Sequence, residues 1–307
     1  MRKIFLLISM MTAFGVRAQH SPADKQQLIA AIQQLFSNQP GVFALAAKHL
    51  PDGDTVLLNE REMFHAASTM KTPVMIEIFR QAALGQIRLD DTLLVRNAFA
   101  SIVDGSPFQL SPTDDSDDEV YQWMGTGQTL RYLLFHMITR SSNLATNLLM
   151  TLADGKQVTA TMRALGAPTI QVLRGVEDSK AYRQGLNNVT SAFDLMKVFE
   201  QIALGKAVNQ EASQQMVNIL LQQFYKDLIP AKLPEGTRVA HKTGWITGVH
   251  HDSGIIFLPG GGQLVLVLLS KKATDEPATK QMLATIARLV YDFYVLTDEK
   301  SHKNNSN

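Results

Sequence analysis

The chain has 307 residues, 29 Lys and Arg against 28 Asp and Glu, a net charge of +1, 45% hydrophobic residues and no cysteine. This length suits one large domain or two small ones, and the charge balance gives no electrostatic basis for binding nucleic acid. Without cysteine there are no disulfides, no thiol catalysis and no Cys-based zinc site, so the core alone must hold the fold.

The first residues, Met1-Arg2-Lys3 followed by Ile4-Phe5-Leu6-Leu7-Ile8 and closing on Val16-Arg17-Ala18, read as a secretory signal peptide over residues 1–18. Its apolar stretch is too short and interrupted to span a bilayer. The expected product is exported, periplasmic or secreted, with no membrane attachment after cleavage.

Ala23 to Leu35 has helical periodicity, with Leu28, Ile29, Ile32 and Leu35 on one side. Val42 to Leu50 and Thr55 to Leu58 read as strands joined by the turn Pro51-Asp52-Gly53-Asp54. Next comes Ser68-Thr69-Met70-Lys71. Val74, Met75, Ile78, Phe79 and Ala82 then form an apolar helical stripe, and Gly85 ends it. A hydroxyl and an amine three residues apart share a helical face. Ser68 falls at the leading end of that helix, where exposed N–H groups favour a developing negative charge. Such a serine is a candidate activated nucleophile. The pair alone also fits a capping serine and a solvated lysine, but Lys71 lies near Pro73 in an apolar run, a poor place for a surface lysine.

Beyond Gly85 strand character is lost for a long way. The acidic run Asp114-Asp115-Ser116-Asp117-Asp118-Glu119 lacks the spacing and glycine of a calcium loop, so a solvated loop is expected. Helices are expected over Thr129–Ile138, Leu144–Leu152 and Val158–Leu165, with the polar break Arg140-Ser141-Ser142-Asn143 between the first two. Leu173 to Asn188 has no period, and loops of that length in compact domains are usually functional. Thr190 and Asn209 are expected to cap helices reaching Leu204 and Leu221. Arg238–Trp245, Val249–Leu258 and Gln263–Ser270 read as three antiparallel strands, and Pro277–Tyr294 as a closing helix. The adjacent His250 and His251 point to opposite strand faces, and the histidines suggest no metal.

Ser68/Lys71, Ser141-Ser142-Asn143 and Lys242-Thr243-Gly244 follow one another in the order S-x-x-K, S-x-N, K-T-G. On these three motifs the chain, from about Ala23 to Tyr294, resembles the class A β-lactamase and penicillin-binding-protein superfamily of serine hydrolases. The resemblance implies an α+β fold: a mostly five-stranded antiparallel sheet flanked by helices, plus an all-helical lobe. It divides the chain into a sheet subdomain (23–67 and 206–297), a helical subdomain (68–205) and a flexible tail (298–307). It also implies roles. Ser68 would be the nucleophile and Lys71 the base or proton relay. Ser141 would bridge Lys71 and Lys242 and carry a proton to the leaving nitrogen. Asn143 would hold Lys71 and meet a substrate amide. Lys242 and Thr243 would bind the substrate carboxylate, with Gly244 and Trp245 also among the substrate-binding residues. The N–H groups of Ser68 and Trp245 would form the oxyanion hole. The implied substrate is a small β-lactam or peptidoglycan-like amide or ester, turned over by a monomer without cofactor or metal.

Three departures stand out. Ser142 occupies the place of the usual Asp, for which altered loop packing with retained chemistry is expected. Leu173-Arg174-Gly175-Val176-Glu177 resembles the opening of the loop that carries a deacylating Glu, but its Glu comes one residue late, and Asn187-Asn188 stand where an acid would close the loop. Glu177 is the candidate base for the deacylating water, with a solvated loop carboxylate as the alternative. Trp245 follows K-T-G where small residues are usual. The leading expectation is a class A-like β-lactamase. The alternatives are a D-alanyl peptidase or esterase, or a β-lactam sensor that stays acylated.

Overall fold

The computed structural model describes residues 22–304, with side chains described over residues 24–296. The expected leader at residues 1–18 lies outside the described residues. Among the latter, no helix is long and apolar enough to cross a membrane.

Five strands form one antiparallel sheet: β1 (Val42–His49), β2 (Thr55–Leu58), β3 (Val239–Ile246), β4 (Val249–Phe257) and β5 (Gln263–Lys271). Their spatial order is β2-β1-β5-β4-β3. The two ends of the chain are therefore stitched together, β1 lying against β5 with Val42 opposite Lys271 and His49 opposite Leu264. β5 reads as a continuous apolar run because helices cover both of its faces. Its period of two sends Leu264, Leu266 and Leu268 to one core and Val265, Val267 and Leu269 to the other.

The first core lies under α1 (Pro22–Ser37) and α9 (Glu276–Asn304), the terminal helices. α9 continues to Asn304, past the expected end at Tyr294, so the stretch from 298 to 304, expected as a flexible tail, is helical. The second core joins the opposite sheet face to α2 (Lys71–Ala83), α3 (Leu130–Thr139), α4 (Asn143–Ala153) and α5 (Gly155–Ala164), and, past the single turn α6 (Ser179–Arg183), which adds nothing to it, to α7 (Ala192–Ala203) and α8 (Gln210–Leu220). α2 and α7 both contribute: Val74, Met75 and Ile78 pack in one cluster with Leu195, Phe199 and the sheet residues Ala44 and Ala46. Burying each such side chain is worth roughly 1.5–3 kcal/mol before the entropic cost of ordering the chain.

Local chemistry sets the helix ends. Asn209 Oδ1 accepts the Ala212 N–H at 2.8 Å and caps α8, as its position predicts. α7 is capped by Ser191, whose Oγ accepts the Asp194 N–H at 3.2 Å, and not by the neighbouring Thr190. Thr190 is drawn instead into a short strand pair with Phe64. That pair, Phe64–His65 with Val189–Thr190, and two others (Thr92–Leu94 with Gly127–Thr129, Phe99–Ala100 with Pro107–Phe108) lie where the sequence suggests no strands. Runs of two or three residues are too short for an alternation to register.

Candidate active site

Ser68 lies in a 3₁₀ turn, Ala67–Met70, that runs straight into α2. The turn is pressed against β3. A Cβ on Gly244 would fall 2.9 Å from the Thr69 nitrogen and 3.0 Å from the Ser68 nitrogen. Only glycine permits this approach, which brings the K-T-G strand alongside the backbone of the serine turn. Behind it, His251 is fully buried on β4. The Ser270 N–H donates to its Nδ1 at 3.2 Å, so Nε2 carries the hydrogen and donates to the His65 carbonyl at 2.9 Å. Burial lowers the His251 pKa to about 4, so it stays neutral and ties the segment before Ser68 to the sheet.

One helical turn after Ser68, Lys71 belongs to a buried polar cluster. Lys71 Nζ donates to the Ser141 carbonyl at 2.7 Å, to Ser141 Oγ at 3.2 Å and to Asn143 Oδ1 at 2.9 Å. Lys242 Nζ donates to the same Ser141 Oγ at 3.0 Å and to the Thr243 carbonyl at 2.8 Å. One hydroxyl thus stands between two ammonium groups, both with no exposed surface. Burial pushes the Lys71 pKa down to about 8, opposed by the nearby carboxylates of Asp115, Glu177 and Asp117. Lys242 is lowered well below its ordinary value by burial and by the charge of Lys71, with Asp252 opposing. A neutral form of Lys71 is therefore far more accessible near neutral pH than for a free lysine.

Ser141 stands at the junction of α3 and α4 with φ 61°, and Ala67 beside Ser68 has φ 45°. Glu177, at φ 62°, is a third non-glycine residue in the left-handed region. Each costs of order 1 kcal/mol or more and persists only where its surroundings hold it. For Ser141 the hold is the pair of lysines. For Glu177 it includes a hydrogen bond from Asn143 Nδ2 to Oε1 at 2.8 Å. Burial raises the Glu177 carboxyl above its ordinary value against that hydrogen bond and one from the Ser111 backbone, with Asp115 and Asp114 raising it further.

A cleft of about 530 Å³ opens above these groups, lined in part by Ser68, Asn143, Glu177, Tyr182 and Trp245. Trp245 is 62% exposed. It also lines an adjoining cavity of about 270 Å³, with Thr243 and Gly244. The residues singled out in the sequence thus fall into three places. Ser68, Asn143 and Glu177 face the cleft. Lys71, Ser141 and Lys242 are buried and joined to the cleft through the hydrogen bond from Lys71 to Asn143. Thr243 and Gly244 border the second cavity, and Trp245 borders both.

The loop carrying Glu177 is closed without an acid. Arg174 donates from Nη2 to Asn187 Oδ1, from Nε to the Leu186 carbonyl and from Nη1 to the Gly175 carbonyl, each at 3.0 Å. Asn188 Oδ1 accepts the Leu173 N–H at 2.8 Å, and its Nδ2 donates to the Arg174 carbonyl at 2.9 Å. Hydrogen bonds from the guanidinium to neutral carbonyl and amide oxygens, with the Asn188 amide on the backbone, therefore do here what an ion pair would do. Asn147 on α4 grips the same loop, accepting the Val176 N–H at 2.7 Å and donating to the Val176 carbonyl at 3.0 Å. A Cβ on Gly175 would lie 2.2 Å from Asn147 Oδ1. Gly175→Ala is therefore expected to break this clamp and cost about 1–3 kcal/mol, measured as a lower melting temperature; an unchanged melt would show that the loop shifts at no cost.

Sequence reasoning missed the acidic run, expected as a solvated loop. Asp117 is buried, with His136 Nδ1 2.6 Å from its Oδ2. Asp117, Glu119 and His136 bring three ligand-type atoms within 4.8 Å of one another, but the close Asp117–His136 hydrogen bond accounts for the buried pair. Asp115 takes the Asn143 and Leu144 N–H groups at the start of α4. The available signal was indirect: Ser142 stands in the middle motif where an Asp is usual, so any carboxylate at that helix end comes from elsewhere in the chain.

The beta-lactamase enzyme family model matches residues 27–294. The extended-spectrum beta-lactamase PER-1 of Pseudomonas aeruginosa is 24% identical over 94% of this chain and 92% of its own. A beta-lactamase structure from Sphaerobacter thermophilus is 26% identical with a TM-score of 0.74, covering 88% of this chain and 97% of that one. A mutant of PBP-A, solved as an acyl-enzyme complex with penicillin G, is 25% identical with a TM-score of 0.74 over 88% and 96% of the two chains.

Proposed function

The chain belongs to the beta-lactamase enzyme family, a family of hydrolases, and from that premise and the geometry of the cleft we propose that it is a class A-like serine β-lactamase. The observation that carries this reading is the position of Ser141 Oγ, 3.2 Å from Lys71 Nζ and 3.0 Å from Lys242 Nζ, in a buried cluster that Lys71 joins to Asn143, a lining residue of the Ser68 cleft.

In this reading Ser68 Oγ attacks the lactam carbonyl and its proton passes to neutral Lys71. The negative oxygen that develops lies at the leading end of the serine turn, with the Ser68 and Trp245 N–H groups as its donors. When the ring C–N bond breaks, Ser141 gives its proton to the departing nitrogen and recovers one from Lys71. Lys242 holds Ser141 in line and, with Thr243, attracts the substrate carboxylate. Asn143 spans Lys71 and Glu177 and offers its amide to the substrate side chain. Glu177 then takes a proton from a water that attacks the acyl ester, and as the ester C–O bond breaks that proton returns from Glu177 to the departing Ser68 oxygen, restoring both groups. The substrate is a small β-lactam met outside the cytoplasm, in keeping with the leader read at residues 1–18, by a protein acting as a monomer.

The base must be uncharged to accept a proton, so the acylation rate is expected to rise with pH through about 8, where Lys71 loses its charge. Stopped-flow acylation by a chromogenic cephalosporin from pH 6 to 9 measures this; a rate independent of pH across that range would remove Lys71 as the base. Intact mass in the same experiment tests the function itself. Turnover through a transient adduct supports the β-lactamase reading, and no adduct at all rejects it. A lasting adduct would favour a penicillin-binding role, the second reading, to which the neutral closure of the Glu177 loop and the likeness to PBP-A both lend weight.

A further inference from the structure

We infer that Asp115, from the acidic run, is a positioning residue for the reaction proposed above: its carboxylate seats Asn143 between Lys71 and Glu177, in place of the acid that the middle motif lacks at Ser142. The inference rests on that functional reading for its meaning, but its geometry stands independently. Asp115 Oδ1 and Oδ2 accept the Asn143 N–H at 2.8 and 3.0 Å, and Oδ2 accepts the Leu144 N–H at 2.9 Å. Ser142 is fully buried, and its Oγ accepts the Ala145 N–H at 3.2 Å. The first N–H groups of α4 are thus shared between a native cap and a carboxylate brought from 28 residues earlier.

Asn143 has contacts in three directions. Its backbone is held by Asp115, its Oδ1 accepts from Lys71 at 2.9 Å and its Nδ2 donates to Glu177 at 2.8 Å. The seat itself is anchored. Asp117 is hydrogen-bonded to His136 on α3 at 2.6 Å, and the Ser116 carbonyl accepts from Tyr225 Oη at 3.3 Å. Asp115 therefore does more than cap a helix. It fixes the amide that links the two candidate proton carriers.

Charge adds a consequence that a cap alone would not have. Lys71 is faced by Asp115 and Asp117 from the acidic loop, Glu177 from the loop after α5, and the Lys242 ammonium from β3. Asp115 opposes the effect of burial on Lys71 and reinforces it on Glu177, so it holds both groups up. Removing its charge lowers both, whichever of them limits the acid side of the rate profile.

The test uses Asp115→Asn and Asp115→Ser, which keep a helix-capping acceptor and remove the charge, with Asp118→Asn, exposed in the same run, as the charge control. Lys71 is titrated by its ¹³Cε shift, assigned through Lys71→Ala, and the acid limb of β-lactam hydrolysis is recorded beside it. In the Asn and Ser variants the Lys71 midpoint is expected to fall from about 8 by about one pH unit, with the acid limb moving the same way. Asp118→Asn leaves both in place. A Lys71 midpoint unmoved in the Asp115 variants, or moved equally by Asp118→Asn, overturns the inference. Failure of both Asp115 variants to fold also overturns it, by assigning the carboxylate to folding alone. The titration needs no substrate, so a wild-type protein that forms no acyl adduct brings down the functional reading and leaves the inference standing.

Discussion

Ser68→Ala is expected to lower β-lactam turnover by about 10⁴- to 10⁶-fold and to abolish the covalent adduct altogether. The size follows from the lack of a substitute. The chain has no cysteine. The hydroxyl of Thr69 is fully buried and donates to the Ala66 carbonyl at 2.6 Å. Ser141 Oγ is held between two buried lysines. Of the hydroxyl-bearing residues that line the cleft among the described residues, Ser68, Ser116, Ser179, Tyr182 and Thr247, Ser68 is the one with a buried lysine one helical turn away. The fold should be indifferent to the change, because the side chain is half-buried and close to the surface, where substitutions are usually worth under about 0.5 kcal/mol. Steady-state hydrolysis, intact mass after incubation with a β-lactam, and a thermal melt measure the three quantities together. Residual turnover at a tenth of wild type would place the nucleophile elsewhere.

Glu177→Gln should separate the two halves of the reaction. Gln keeps an oxygen that can accept from Asn143 Nδ2, so the cleft and acylation are expected to survive. It cannot take a proton from water, so deacylation should slow by about 10²- to 10⁴-fold. The predicted observation is a burst of one equivalent of product followed by near-silence, with the acyl adduct persisting in the mass spectrum. Because burial raises the Glu177 carboxyl, deacylation in the native protein should fall off on the acid side at a higher pH than an ordinary glutamate would give. A Gln variant that deacylates at the native rate would remove Glu177 from the mechanism and make it the loop carboxylate of the alternative reading.

The departures from the family pattern have distinct physical outcomes. At Ser142 the helix end retains a carboxylate, supplied by Asp115 from a separate loop. At Asn187 and Asn188 the loop gives up the charge and keeps the hydrogen bonds, leaving Arg174 to be satisfied by carbonyls and amides. Hydrogen bonds from a charged donor are stronger than neutral ones, which suits a guanidinium closing a loop in a half-dry setting. At Trp245 the large ring causes no crowding inside, because the side chain leaves the strand end toward solvent between two cavities.

Much of this protein was legible in its residue order. The long strands and amphipathic helices carry a period that burial imposes locally, so β1, β4, β5 and α2 could be read from their apolar patterns. Asn209 announced a cap by its chemistry. The three motifs identified which serine, which lysines and which amide to watch. What residue order could not contain was distance between groups far apart in the chain. It could not show that Ser141 Oγ would stand between Lys71 and Lys242, or that Asp115, in a run that looks made for solvent, would turn inward to the start of α4. Thr190 entered a strand pair, and Ser191 took the cap, because Phe64 happened to lie alongside. Local periodicity follows from each element's need to bury one face. The meeting of polar groups follows from how those elements pack, and packing is decided by the whole core at once.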